Sequence, residues 1–88
     1  MRVLKWTVPV DDQWHPIGSG EVLHVACQRG PFSVEVWTLE ADESDSLRSV
    51  IICGTGQPLP ENSRHIGTAL ANQGSLVWHV FEGVTSDA

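Results

Sequence analysis

Apolar and polar residues alternate along most of this chain with a period of two, the spacing of a strand whose two faces see different surroundings. From Arg2 to Val8, Leu4, Trp6 and Val8 point one way, and Lys5 and Thr7 the other. Pro9 and the Asp11-Asp12 pair then end the strand, because proline cannot donate to a ladder. Gln13 to Gly20 reads as a loop, from Pro16, Gly18 and Gly20. Glu21 to Gln28 alternates again. Glu21, Leu23, Val25 and Cys27 share one face, and Val22, His24, Ala26 and Gln28 the other. Arg29-Gly30-Pro31 is a turn, and Phe32 to Glu40 returns as the partner strand of a hairpin.

Ala41 to Ser46 is acidic and reads as an exposed connection. Leu47 to Cys53 carries Val50-Ile51-Ile52, apolar on both faces, which predicts a central strand covered on both sides. Gly54 to Ser63 has the glycines and prolines of a loop. His65 to Ala71 and Ser75 to Glu82 form a last hairpin across Asn72-Gln73-Gly74. A short echo, Val-Glu-Val-Trp at 34–37 and Ser-Leu-Val-Trp at 75–78, is too brief to be a repeat. No stretch has the 3.6-residue period of a helix. The expected fold is all-β: one small antiparallel sandwich or barrel of about six strands over residues 1–83, with a tail at 84–88.

Length and composition sharpen that picture. The chain's 88 residues suffice for one domain with a thin core. Four tryptophans, Trp6, Trp14, Trp37 and Trp78, each bring roughly 150–250 Å² of surface to enlarge a core or anchor an interface. Eleven acidic residues against five basic ones give a net charge of −6. The five arginines and lysines are scattered, so the chain lacks the clustered cations that bind nucleic acid or an anionic membrane. No apolar run approaches the ~20 residues of a membrane span. Lys5 and Trp6 interrupt any secretory leader. The expectation is a reducing compartment in which Cys27 and Cys53 stay thiols, although their count alone leaves a disulfide open.

The candidate chemistry is sparse. Four histidines and two cysteines supply ligand types, but none forms a close pair such as C-x₂₋₄-C, so no metal is expected. Gly18-Ser19-Gly20 lacks the strand–turn–helix setting of a nucleophile elbow. Both cysteines lie in apolar runs that raise rather than lower a thiol pKa. Gly54-Thr55-Gly56 follows a strand and could offer backbone N–H groups to a phosphate, but it lacks a P-loop's Lys-Ser/Thr. The final strand carries more weight. Leu76, Trp78 and Val80 face one way, and Val77, His79 and Phe81 the other. With large groups on both faces, one side packs the core and the other calls for a cover, which a partner subunit or a loop of the same chain can supply.

Residues 54–82 resemble an uncharacterised family of small phage-encoded proteins. The resemblance rests on Gly54-Thr55-Gly56-Gln57-Pro58, on Ile66-Gly67-Thr68 and on Val77-Trp78-His79-Val80-Phe81-Glu82. Trp6, the Pro16–Val25 segment and Trp37 match more loosely. The resemblance implies a phage origin, with the protein in the host cytoplasm or the virion, a compact β fold and no assigned reaction or cofactor. Three readings follow. In the first the chain is not an enzyme and acts by association, with itself or with a viral or host protein, as a virion component or a host-factor binder. In the second an oligomer sequesters a small nucleotide, with Gly54, Thr55 and Gly56 at the phosphates, Trp14 or Trp78 on the base, and Arg64 or His65 as donors. In the third His65, His79 and Glu82 carry acid–base chemistry. Trp14, Trp37, Gly54, Thr55, Gly56, Arg64, His65, Trp78, His79 and Phe81 are the candidate interface or ligand residues.

Overall fold

The computed structural model describes residues 1–41 and 46–84 of the chain. The acidic stretch at 42–45 and the end of the tail at 85–88 lie outside the described residues. Seven strands run in order: β1 (Val3–Pro9), β2 (His15–Gly18), β3 (Val22–Ala26), β4 (Ser33–Leu39), β5 (Leu47–Gly54), β6 (Ser63–Ala71) and β7 (Leu76–Gly83). They form two antiparallel sheets, one ordered β1-β4-β3 and the other β2-β5-β7-β6. The molecule measures 37 × 32 × 17 Å between Cα positions, and its short dimension is that of two stacked sheets. The all-β sandwich expected from the alternation is what the chain forms, as two open sheets rather than a closed barrel.

The extra strand is β2, which falls in the stretch that reads as loop. Pro16 is tolerated there because β2 is an edge strand: it pairs only with β5, opposite Ser49, so proline's missing N–H breaks no second ladder. The second difference lies in β3. A bulge at Leu23 shifts the register, so Val22 and Val25 pair with the inward-facing Thr38 and Val36. Leu23, expected to share a face with Val25, is thrown outward and exposed.

Between the sheets lie Val8, Val34, Val36 and Val25 from the three-stranded sheet, and Ile17, Val50, Ile52, Ala69 and Val80 from the other. β-branched side chains suit this pleated interior. Trp6 closes one margin, its Nε1 donating to Thr38 Oγ1 at 3.0 Å. β5 is central, between β2 and β7, and Val50 to Cys53 are all buried. A second cluster, Ile51, Cys53 and Phe81, lies on the outer face of the four-stranded sheet. Loops of the same chain close over it. Gln57 Nε2 donates to Asp12 Oδ1 at 2.9 Å, tying the β1–β2 loop to the β5–β6 loop. The Trp14 ring lies against Gly83. The cover that the final strand requires is thus supplied from within the chain around Phe81.

Candidate functional site

The β6–β7 hairpin brings most of the candidate residues together. Its tip is a 3₁₀ turn at Asn72–Gly74 with Asn72, Gln73 and Gly74 all at positive φ. The register sets His65 opposite Phe81, Thr68 opposite His79 and Leu70 opposite Val77, all on the outer face. Ile66 is the bulged residue that lets both His65 and Thr68 point outward although they are three apart.

Four of these side chains form a continuous polar chain. Thr55 Oγ1 lies 3.1 Å from His79 Nε2, His79 Nδ1 lies 3.1 Å from Thr68 Oγ1, and Thr68 Oγ1 lies 2.8 Å from His65 Nε2. A neutral imidazole donates from one nitrogen and accepts at the other, and a hydroxyl does both, so the chain is satisfied in either direction. The His65 ring packs edge-on to Phe81, with centroids 5.4 Å apart, and lies 6.0 Å from His79.

Beside this chain is an open groove of about 480 Å³ lined by Gly54, Thr55, Ser75, Leu76, Val77 and Trp78. Among the described residues its lining carries no charged side chain. Trp78 points to the inner side of the sheet and is fixed by its Nε1 donating to the Pro31 carbonyl at 2.6 Å. Phe32 leans on it with centroids 6.4 Å apart, and is itself 65% exposed. Gly54 pairs with Trp78, and a Cβ there would come within 3.2 Å of the indole. The missing side chain therefore keeps that edge of the ring open to the groove. Gly56 has φ +89 and serves the turn.

Other candidates stand apart. Trp37 is on the other sheet, 5.6 Å from the His24 ring. Trp14 covers Gly83 at the far end of β7. Arg64 is committed to Glu82: its Nε donates to Glu82 Oε1 at 2.8 Å, and its second guanidinium nitrogen reaches the same oxygen. Glu82 also meets Arg48, so the acid–base trio of His65, His79 and Glu82 is divided between the two faces of the sheet. Phe81 is buried within the chain. Thr68, which joins the two histidines, and Phe32, which packs against Trp78, escape a reading by alternation. Thr68 could have been found only by placing the bulge at Ile66.

Cys27 and Cys53 are both free thiols. Burial pushes the Cys53 thiol above its ordinary pKa, and nearby Asp12 pushes the same way. Burial, then Glu35, does the same for Cys27. An unfolded thiol ionises near pH 8.5, before either folded one. The folded state therefore holds these protons longer, and stability falls as pH rises through and beyond the ordinary thiol range. Native protein at pH 8 is expected to alkylate Cys53 at least tenfold more slowly than urea-unfolded protein, as mass spectrometry would read directly. Equal rates would contradict the burial of Cys53.

Fold and site together define a small two-sheet β sandwich with an aromatic groove and a histidine–threonine chain on one hairpin. The chain belongs to the family described as a domain of unknown function, DUF7352, whose model matches residues 1–88. No curated protein matches the chain. No solved structure matches it either. The resemblance to an uncharacterised family holds at that level. No helix among the described residues is long and apolar enough to cross a membrane.

Proposed function

We propose that the chain is a phage protein that acts by association, in the virion or on a host factor, and takes an apolar or aromatic side chain of a protein partner into the groove beside Trp78. The observation that carries this is the groove's chemistry. Its walls include Leu76, Val77 and Trp78, the exposed Phe32 packs against Trp78, and no charged side chain of the described residues lines it in a chain of net charge −6. Large aromatic groups held rigidly at a surface are the anchors that interfaces use. Trp78 is held by Pro31 and Phe32 before any partner arrives, so little ordering cost opposes binding.

The test is affinity capture from infected cells and from purified virions, with wild type and Phe32→Asp side by side. Wild type is expected to hold one stoichiometric partner. Phe32→Asp should lose it by at least tenfold, with its thermal midpoint little moved, because Phe32 is mostly in solvent. A wild-type chain that is absent from virions and captures nothing would end this reading.

One observation favours the nucleotide reading: Gly54, Thr55 and Trp78 do share the groove. Of its two expected donors, Arg64 or His65, Arg64 is held by Glu82. A screen of cyclic oligonucleotides by thermal shift separates the two readings. At about 100-fold excess over its dissociation constant a true ligand stabilises by roughly 2.7 kcal/mol.

A further inference from the structure

We infer that His65 and His79 form a site for one divalent transition-metal ion of the zinc, copper and nickel class, held by an imidazole from each of two neighbouring strands. The inference goes beyond the association reading and uses a different surface, the outer face of the four-stranded sheet.

In sequence the two histidines lie in separate runs and make no ligand pair. The hairpin brings them together. Thr68 pairs directly with His79 across β6 and β7, and the bulge at Ile66 turns His65 onto the same face. His65 Nε2 lies 2.8 Å from Thr68 Oγ1, and His79 Nδ1 lies 3.1 Å from the same atom. One ring nitrogen of each histidine thus points at one place. The ring centroids are 6.0 Å apart. Two imidazoles sharing one ion at nitrogen–metal distances of ~2.0–2.1 Å have centroids roughly 5–6 Å apart, so small ring rotations bring the nitrogens into range.

The surroundings prepare both nitrogens. Metal-bound imidazoles commonly give their other N–H to a nearby acceptor, which sets the tautomer. His79 has such an acceptor: its Nε2 lies 3.1 Å from Thr55 Oγ1, and donation there leaves the Nδ1 lone pair facing Thr68. His65 is steadied by its edge-on contact with Phe81, centroids 5.4 Å apart. His65 and Thr68 are exposed and His79 is half-buried, so an ion reaches the site from solvent. Imidazole nitrogen selects zinc, copper and nickel over magnesium and calcium, which prefer carboxylate and carbonyl oxygen. Among the described residues no third histidine, thiol or carboxylate joins the pair. Cys53, opposite His79 on β5, is buried with Ile51 and Phe81. Water and the Thr68 hydroxyl complete the coordination, which leaves positions open to a ligand from outside the chain.

The test is titration of the untagged full chain with zinc, copper(II), magnesium and calcium ions at about pH 7.5, where histidine is ordinarily neutral. Calorimetry gives the stoichiometry, and long-range proton–nitrogen spectra of the histidine rings give the ligating atoms. One zinc ion per chain is expected, bound more tightly than about 100 µM, with copper tighter still and magnesium and calcium without effect. The spectra should place it at His65 Nε2 and His79 Nδ1. His65→Gln and His79→Gln should each weaken zinc binding about tenfold or more. His65 is exposed, so its variant keeps the fold, as circular dichroism would show. The paired change His15→Gln with His24→Gln should leave binding within about twofold of wild type, since neither residue is in the site. Zinc bound more weakly than about 100 µM overturns the inference. So does zinc that is lost with His15 and His24 instead, and so does a His65→Gln chain that binds as wild type does.

Discussion

Gly20→Ala is expected to destabilise the fold by about 3 kcal/mol or more, the largest loss from a methyl added at any of the glycines. A Cβ built at Gly20 would overlap the Leu39 carbonyl oxygen and lie 2.8 Å from its carbon. Both are backbone atoms, so no side chain can turn aside. The backbone is held from both directions as well. Leu39 N–H donates to the Glu21 carbonyl at 2.9 Å, and the Arg48 guanidinium donates to the Ser19 and Gly20 carbonyls. Relief therefore requires the β2–β3 connection to part from β4. Two other glycines calibrate the effect. A Cβ at Gly67 meets the Val25 methyls at 2.7 and 3.0 Å, which a rotamer change eases in part, and one at Gly54 meets the Trp78 ring at 3.2 Å. The expected order of cost is Gly20→Ala, then Gly67→Ala, then Gly54→Ala. Urea unfolding followed by tryptophan fluorescence measures all three. A Gly20→Ala protein within about 1 kcal/mol of wild type would refute the close approach.

The same contrast shows what sequence could and could not reveal. Alternation is a property of single strands, so β1, β4 and β5 and the two hairpins were legible from side-chain order alone. β2 was not, because its proline and glycines mimic a loop when the neighbouring strand is unknown. Leu23 and Ile66 are bulges, and a bulge is a fact about two strands that no single run of residues displays. That is why alternation sets Val22 and Val25 on opposite faces, whereas in the structure they share one. The candidate site divides in the same way. His65, His79, Trp78 and the Gly54–Thr55 segment are conspicuous residue types that sequence alone singles out. Thr68, which joins the two histidines, and Phe32, which arrives from the other sheet, are placed by register and sheet stacking. The pairing of Arg64 is invisible in sequence for a reason of the same kind: its partner Glu82 is on the adjacent strand, 18 residues away.

That pairing carries the second large effect. Glu82→Ala is expected to cost about 3–5 kcal/mol, far above the value of an ordinary surface ion pair. The Glu82 side chain is 9% exposed and is shared by two arginines. Arg48 reaches its Oε2 at 3.3 Å, and Arg64 its Oε1 at 2.8 Å. Arg48 is itself only 14% exposed, and its Nε has no partner among the described residues. Removing the carboxylate thus strands a nearly buried cation, and the cost is that of the stranded charge rather than of the bond. Glu82→Gln keeps the shape and loses the charge, so it should fall between alanine and wild type. Arg64→Ala should cost less than about 1 kcal/mol, because Arg64 is 72% exposed and water replaces its contact. Replacing both buried partners with apolar residues, Arg48→Met with Glu82→Leu, should recover much of the loss of Glu82→Ala. Arg48 also donates to the Gly20 carbonyl, so Glu82→Ala and Gly20→Ala act on one corner of the sandwich and should not add. Additive losses in a double-mutant cycle, or an Arg64→Ala as costly as Glu82→Ala, would show that the carboxylate belongs to the surface. The predicted pattern instead makes Glu82 part of the scaffold. The His65–Thr68–His79–Thr55 chain lies on the opposite face of the same hairpin.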